Sequence, residues 1–164
     1  MTTWWQAVAN IVWQEFADLP DAAGVTRITL RLLIAAILGG ILGFEREQKG
    51  KAAGLRTHML VALGAALFVL IPQQAGASDA DLSRVMQGLV AGVGFLGAGA
   101  IIKGNRGEEQ IKGLTTAAGI WLTAAIGMAA GLGREATAVL STRIALLILY
   151  IIPKLAGRLA KHDS

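Results

Sequence analysis

The densest run of ionisable side chains is Glu45-Arg46-Glu47-Gln48-Lys49-Gly50-Lys51-Ala52-Ala53-Gly54-Leu55-Arg56-Thr57-His58. Carboxylates, bases and an imidazole this close together can hold an ion or bind a charged ligand. Glu45 directly follows the apolar Gly43-Phe44, so its carboxylate sits at a hydrocarbon boundary and needs a basic partner, with Arg46, Arg56 or His58 in reach. The candidate functional cluster is therefore Glu45, Arg46, Glu47, Lys51, Arg56, Thr57 and His58. An ordinary basic loop between membrane spans has the same composition. His58 titrates near neutral pH, which would suit a pH sensor, although a lone interfacial histidine is more often simply solvated.

Two further bases, Arg31 and Arg143, fall inside apolar runs. A base buried at membrane depth costs a few kcal/mol or more without a partner, so Arg143 is expected to face the protein interior. With Arg31, and with Gln87 as a third member, it would converge on one anionic or carbonyl-rich pocket; an anionic ligand, a lipid headgroup or an inter-helix hydrogen-bond network would meet its charge. A path for Mg²⁺ wants oxygen ligands, yet all eleven acids lie in loops, tails or span ends. Thr115 and Thr116 open another apolar run, where their hydroxyls would cap a helix start or line a polar cavity; capping is the expectation. Gly92-Val-Gly-Phe-Leu-Gly97 matches the GxGxxG dinucleotide pattern, but it sits within an unbroken apolar run without the strand, helix and later acid that such a turn needs. No Ser/His/Asp set, nucleotide loop, metal cluster or cysteine is present in the sequence. Catalytic residues are expected to be none, no cofactor is evident, and an enzyme is the least supported class.

The elements that must position these residues are membrane helices. Hydrophobic residues make up 54% of the 164 residues and charged ones only 16%, against about 25% charged in an average chain, and the mean hydropathy is +0.58. The apolar residues are bunched into five runs: Val25–Phe44, Met59–Ile71, Val85–Ile102, Leu114–Gly133 and Ala136–Ile152. Most approach the roughly 20 residues needed to cross about 30 Å of hydrocarbon. The second is short if Pro72 ends it, so it either begins inside the preceding basic segment or crosses a thinned region. Before them, residues 3–19 form an amphipathic pattern with Trp4, Trp5, Val8, Ile11, Val12 and Phe16 on one face, which fits a helix lying in the interface. Pro20, Asp21 and Gly24 are expected to end it. The domain plan is 1–24 for this helix and linker, 25–152 for a five-helix all-α bundle, and 153–164 for a basic tail.

Ten of the fifteen Lys and Arg fall in the segments 45–57, 103–113 and 154–164, and only Arg27, Arg84 and Arg134 on the other side. That bias places the N-terminus outside and the C-terminus in the cytoplasm. It also explains the net charge of +4 without invoking nucleic acid. Glycines four apart, Gly39 and Gly43, Gly88 and Gly92, Gly127 and Gly131, together with Gly97, let helix backbones approach closely.

The run GFEREQKGKAAGLRTHMLVALGAALF (43–68), then Arg84 through GVGFLGAGAII (92–102), then GLTTAAGIWLTAAIGMAAG (113–131), resembles the motifs of the MgtC/SapB family of bacterial inner-membrane proteins, in their order. The resemblance covers roughly residues 28–133. It implies a role in adaptation to low magnesium or acid stress and an association with virulence. It also implies action through a membrane-protein partner, such as the F-type ATP synthase; a homodimer is a separate expectation that the resemblance does not supply. Carriage of magnesium or a small solute is the alternative it brings, and a structural membrane dimer the second. Many members carry a soluble domain after the last span, whereas this sequence ends twelve residues after Ile152.

Overall fold

The computed structural model describes residues 3–15, 21–104 and 113–159, and every regular element among them is a helix. The order is α1 (Trp4–Glu15), α2 (Ala22–Gln48), α3 (Leu55–Gln74), α4 (Asp79–Gly104), α5 (Leu114–Gly131) and α6 (Glu135–Leu159). α2 to α6 are each long and apolar enough to cross a membrane. The all-α, five-span architecture expected from the sequence is therefore present.

The chain divides into two compact units, Met1–Leu30 and Arg31–Ser164. In the first, every described side chain of α1 is exposed, and Trp4 and Trp5 pack edge to face at 4.2 Å. Residues 16–19 of the amphipathic pattern, and Pro20, lie outside the described residues. Asp21 and Gly24 do not end this element: they start the next one. The Asp21 carboxylate accepts the Gly24 backbone N–H at 2.7 Å, the bond an N-cap side chain makes to the third helical residue.

In the second unit α5 is the hub, packing against α3, α4 and α6. Lipid is as apolar as the side chains, so helices here associate by close packing and hydrogen bonding more than by escape from water. Two glycine pairs bring that about. A Cβ on Gly39 of α2 would lie 2.6 Å from the His58 carbonyl oxygen, and one on Gly43 would lie 2.7 Å from Leu55 Cα. On the other side of α3, a Cβ on Gly127 would collide with the Ala62 carbonyl, and one on Gly131 would lie 2.5 Å from the Ala66 carbonyl oxygen. The small-residue ridge of α3, with Ala62 and Ala66 fully buried, is thus gripped from both sides. Gly97 makes ordinary contact with Ala117. Gly88 and Gly92 depart from expectation: nothing lies within 4 Å of where their Cβ atoms would be. They line an open apolar groove of about 580 Å³ with Leu60, Gly64, Phe68 and Leu96, because α4 leans on α5 through Val93 and Leu89 and leaves its glycine face outward.

α3 starts at Leu55, inside the basic segment, and its 20 residues reach about 30 Å at 1.5 Å per residue. The expected stop at Ile71 is corrected. Pro72 lies inside the helix, because its ring fixes a helical φ and removes only one intrahelical bond. The stop comes at Gly76, in the left-handed conformation with φ +77°, where Gly76 N–H donates to Gln73 O and Ala77 N–H to Pro72 O. That paired closure needs a residue that tolerates positive φ.

Candidate functional site

The segment 45–58 folds as the last turn of α2, a tight connection and the first turn of α3. It does not form a single network. Arg46 is 4% exposed and pairs through Nε with the Glu45 carboxylate at 2.5 Å. A guanidinium this far from water needs such a partner, since an unpaired buried charge is strongly destabilising. Glu47 points the other way, and its Oε2 accepts the Leu55 backbone N–H at 2.7 Å. Gly54 precedes α3 and has no side chain to cap it, so a carboxylate from the neighbouring helix supplies the anion that the positive helix terminus favours. Lys51, Arg56 and Thr57 are exposed. Lys51, in the connection before α3, lines one cleft with Glu45 and Arg46, whereas no hydrogen bond or ion pair joins Arg56 or Thr57 to Glu45 among the described residues.

His58 is wholly buried, contrary to a solvated interfacial position. One turn into α3 it lies under Gly43 and opposite Gly119 of α5, where a Cβ would sit 3.5 Å from Nε2. Its Nδ1–H donates to the Gly54 carbonyl at 2.9 Å. Nε2 therefore carries the bare lone pair, and it has no hydrogen-bond partner. The Gly119 backbone leaves the space that the ring occupies.

Thr115 and Thr116 do not cap α5. The N-cap is Gly113, with φ +93° and no side-chain cap bond, and a Cβ there would lie 2.6 Å from the Ala100 carbonyl oxygen of α4. Thr116 is buried, while Thr115 lines a cleft with Arg46.

At the opposite end of the bundle Arg31 collects four helices. Its Nη1 donates to Gln73 Oε1 of α3 at 2.8 Å and to the Gly131 carbonyl at the end of α5 at 3.1 Å. Its Nε lies 3.8 Å from the Glu135 carboxylate at the start of α6. The expected convergence with Arg143 and Gln87 is corrected, since both of those side chains are exposed. α6 turns Ala138, Thr142 and Ala145 inward, and a residue one position past Thr142 is rotated about 100° off that face. The polar group buried there is the Thr142 hydroxyl, which donates to the Ala138 carbonyl at 2.9 Å. Gln73 was the missed partner. It lies beyond Pro72, where the sequence predicts the helix to have ended, and only the continued helix brings it to Arg31. No group of three or more His, Cys, Asp or Glu side chains suited to a metal occurs among the described residues.

Five apolar helices, four of them brought close by glycine contacts, with a half-buried arginine at one end and a buried one at the other, define a polytopic helical membrane protein. Residues 32–158 match the model of the MgtC family, and the chain belongs to that family. It is 43% identical over 142 residues to the protein named "Putative magnesium transporter YhiD" of Escherichia coli (strain K12), covering 82% of this chain and 64% of that one. It is 43% identical over 132 residues to the protein SrpB of Synechococcus elongatus, covering 74% of this chain and 72% of that one. To the protein MgtC of Salmonella typhimurium (strain LT2) it is 40% identical over 130 residues, covering 79% of this chain and 54% of that one. The chain thus spans just under two thirds of YhiD and about half of that MgtC. No solved structure matches the chain.

Proposed function

We propose that the protein is an accessory or regulatory factor of the bacterial inner membrane in adaptation to low magnesium or acid stress, and that it acts by binding a membrane-protein partner, the ATP synthase being one candidate, instead of carrying the ion. The magnesium association comes from its relatives. The observation that carries the regulatory reading is the placement of Arg31 and Arg46, one at each end of a bundle whose centre is closed by glycine–carbonyl contacts. At each end the nearby carboxylate, Glu45 or Glu135, already faces its arginine, and no group of three or more His, Cys, Asp or Glu side chains stands there among the described residues to supply the several oxygen ligands that a divalent cation takes. The open glycine face of α4, at Gly88 and Gly92, supports partner binding through close helix–helix approach. The lysine and arginine bias supports an external N-terminus and a cytoplasmic Arg46 end, and the exposed tryptophans of α1 support an interfacial seat for that helix.

Proteoliposomes loaded with a magnesium-sensitive dye test the reading. The expected result is Mg²⁺ entry no faster than in protein-free vesicles, from the same preparation that restores growth of a deletion strain in low magnesium. Saturable, protein-dependent Mg²⁺ entry would show a carrier, the alternative that the name of YhiD raises.

A further inference from the structure

Beside Arg46 a cleft of about 530 Å³ opens between the last turn of α2, the start of α5 and the later part of α6. Among the described residues its wall carries Arg46, Lys49, Lys51 and Lys154 against a single carboxylate, Glu45. Lys154 is held in place, with Nζ 3.7 Å from the centroid of the Tyr150 ring and a hydrogen bond to the Tyr150 hydroxyl. A second, apolar slot of about 190 Å³ shares Arg46, Thr115, Ile148 and Leu149 with the cleft, and runs inward past Leu42, Leu122 and Ala145 to His58.

Two buried polar groups are left unused there. Arg46 spends only Nε on Glu45; its remaining guanidinium donors form no hydrogen bond among the described residues, although the residue lines both spaces. His58, at 0% exposure, presents Nε2 without a partner at the slot. A free guanidinium edge matches the paired oxygens of a phosphate. A bare imidazole nitrogen accepts from a hydroxyl or from water brought in with a ligand. The apolar slot between them takes hydrocarbon.

We propose that this cleft binds a phosphate-type anion, and specifically the phosphate of an anionic phospholipid. Arg46, Lys49, Lys51 and Lys154 hold the phosphate oxygens, and the first methylenes of an acyl chain enter the slot toward His58. A free phosphate shares the charge chemistry but leaves the slot empty, which is why the lipid is favoured. Anionic lipid is also what basic side chains beside a span attract, at about 1 kcal/mol per residue. The site goes beyond the regulatory reading and does not depend on it.

The test uses the full chain in a neutral detergent, melted with added phosphatidylglycerol, phosphatidylcholine or inorganic phosphate. Native mass spectrometry of the same samples counts retained lipid. Phosphatidylglycerol should raise the melting temperature by several degrees and stay bound at one molecule per chain, while phosphatidylcholine does neither. The exposed-lysine variant Lys51→Gln/Lys154→Gln should lose most of the shift. Arg84→Gln/Arg134→Gln, with the same charge change at the other end of the bundle, should keep it. Arg46→Gln should lose retention altogether; because Arg46 is buried and this variant risks misfolding, the lysine pair decides. Equal responses to the two lipids, or equal losses in the two double variants, would overturn the site. Stabilisation by millimolar inorganic phosphate with none by phosphatidylglycerol would overturn the lipid and assign the cleft to the free anion.

Discussion

The guanidinium of Arg31, on α2, donates to the carbonyl oxygen of Gly131, a hundred positions later in the chain, at 3.1 Å. Gly131 ends α5, where carbonyls without intrahelical partners carry the negative pole of the helix. Gly133, with φ +75°, closes α5 by accepting the left-handed turn, and a Cβ there would collide with the Arg31 guanidinium. One side chain therefore caps α5, binds Gln73 at the end of α3 and faces Glu135 at the start of α6.

That clamp fixes a rank order. Arg31→Leu should lower stability by about 2 kcal/mol, the usual scale for a charged hydrogen bond lost with its partners left behind. Arg31→Lys should recover only part, since an ammonium cannot reproduce the planar fork. Glu135→Gln should cost under about 1 kcal/mol, because the pair is long and partly exposed. Thermal unfolding in detergent, followed by circular dichroism, reads all three. Equal melting temperatures for wild type and Arg31→Leu would remove the clamp from the account.

The glycine pairs should separate sharply. Gly127→Leu and Gly131→Leu drive a side chain into the α3 backbone, a form of overpacking that costs at least about 1–3 kcal/mol. Both should reduce the yield of monodisperse protein on size-exclusion chromatography. Gly88→Leu meets open space and should leave the single-chain fold within about 0.5 kcal/mol of wild type. If Gly88→Leu also abolishes activity in cells, the open face of α4 is the partner's.

Arg143 is exposed on α6, so Arg143→Leu should leave the melting temperature of the detergent-solubilised protein unchanged. Membrane insertion of α6 should become easier by about 2.5–3.5 kcal/mol, the translocon cost of arginine near a helix centre. A model-span insertion assay with and without the substitution measures it. A large drop in thermal stability would instead return Arg143 to the interior.

Topology can be read on a clean background, because the chain has no cysteine. With the Arg46 end in the cytoplasm, Ala77→Cys should react with an impermeant maleimide in intact cells. Ala52→Cys should react only after permeabilisation. The reverse pattern would invert the orientation.

What the sequence determined by itself was the secondary structure and its number. Apolar runs near 20 residues allow only helices, because no backbone group can be left unpaired in lipid, and hence five spans were legible with their approximate limits. The family motifs were legible too, as was the need of Glu45, at an apolar boundary, for a basic partner; that Arg46 fills it, and not Arg56 or His58, came from the structure. Tertiary structure alone decided which faces meet. Three glycine pairs looked equivalent along the chain, yet two grip α3 and the third stands open, because small residues permit close approach without naming a partner. Arg143 and Arg31 looked alike as bases within spans. Only the rotation of α6 about its axis, set by Ala138, Thr142 and Ala145 packing inward, turned one outward, while the ends of α3, α5 and α6 gathered around the other. His58 read as a solvated interfacial residue because its burial depends on side chains being absent at Gly43 and Gly119, on two other helices, and periodicity within one helix holds no information about its neighbours.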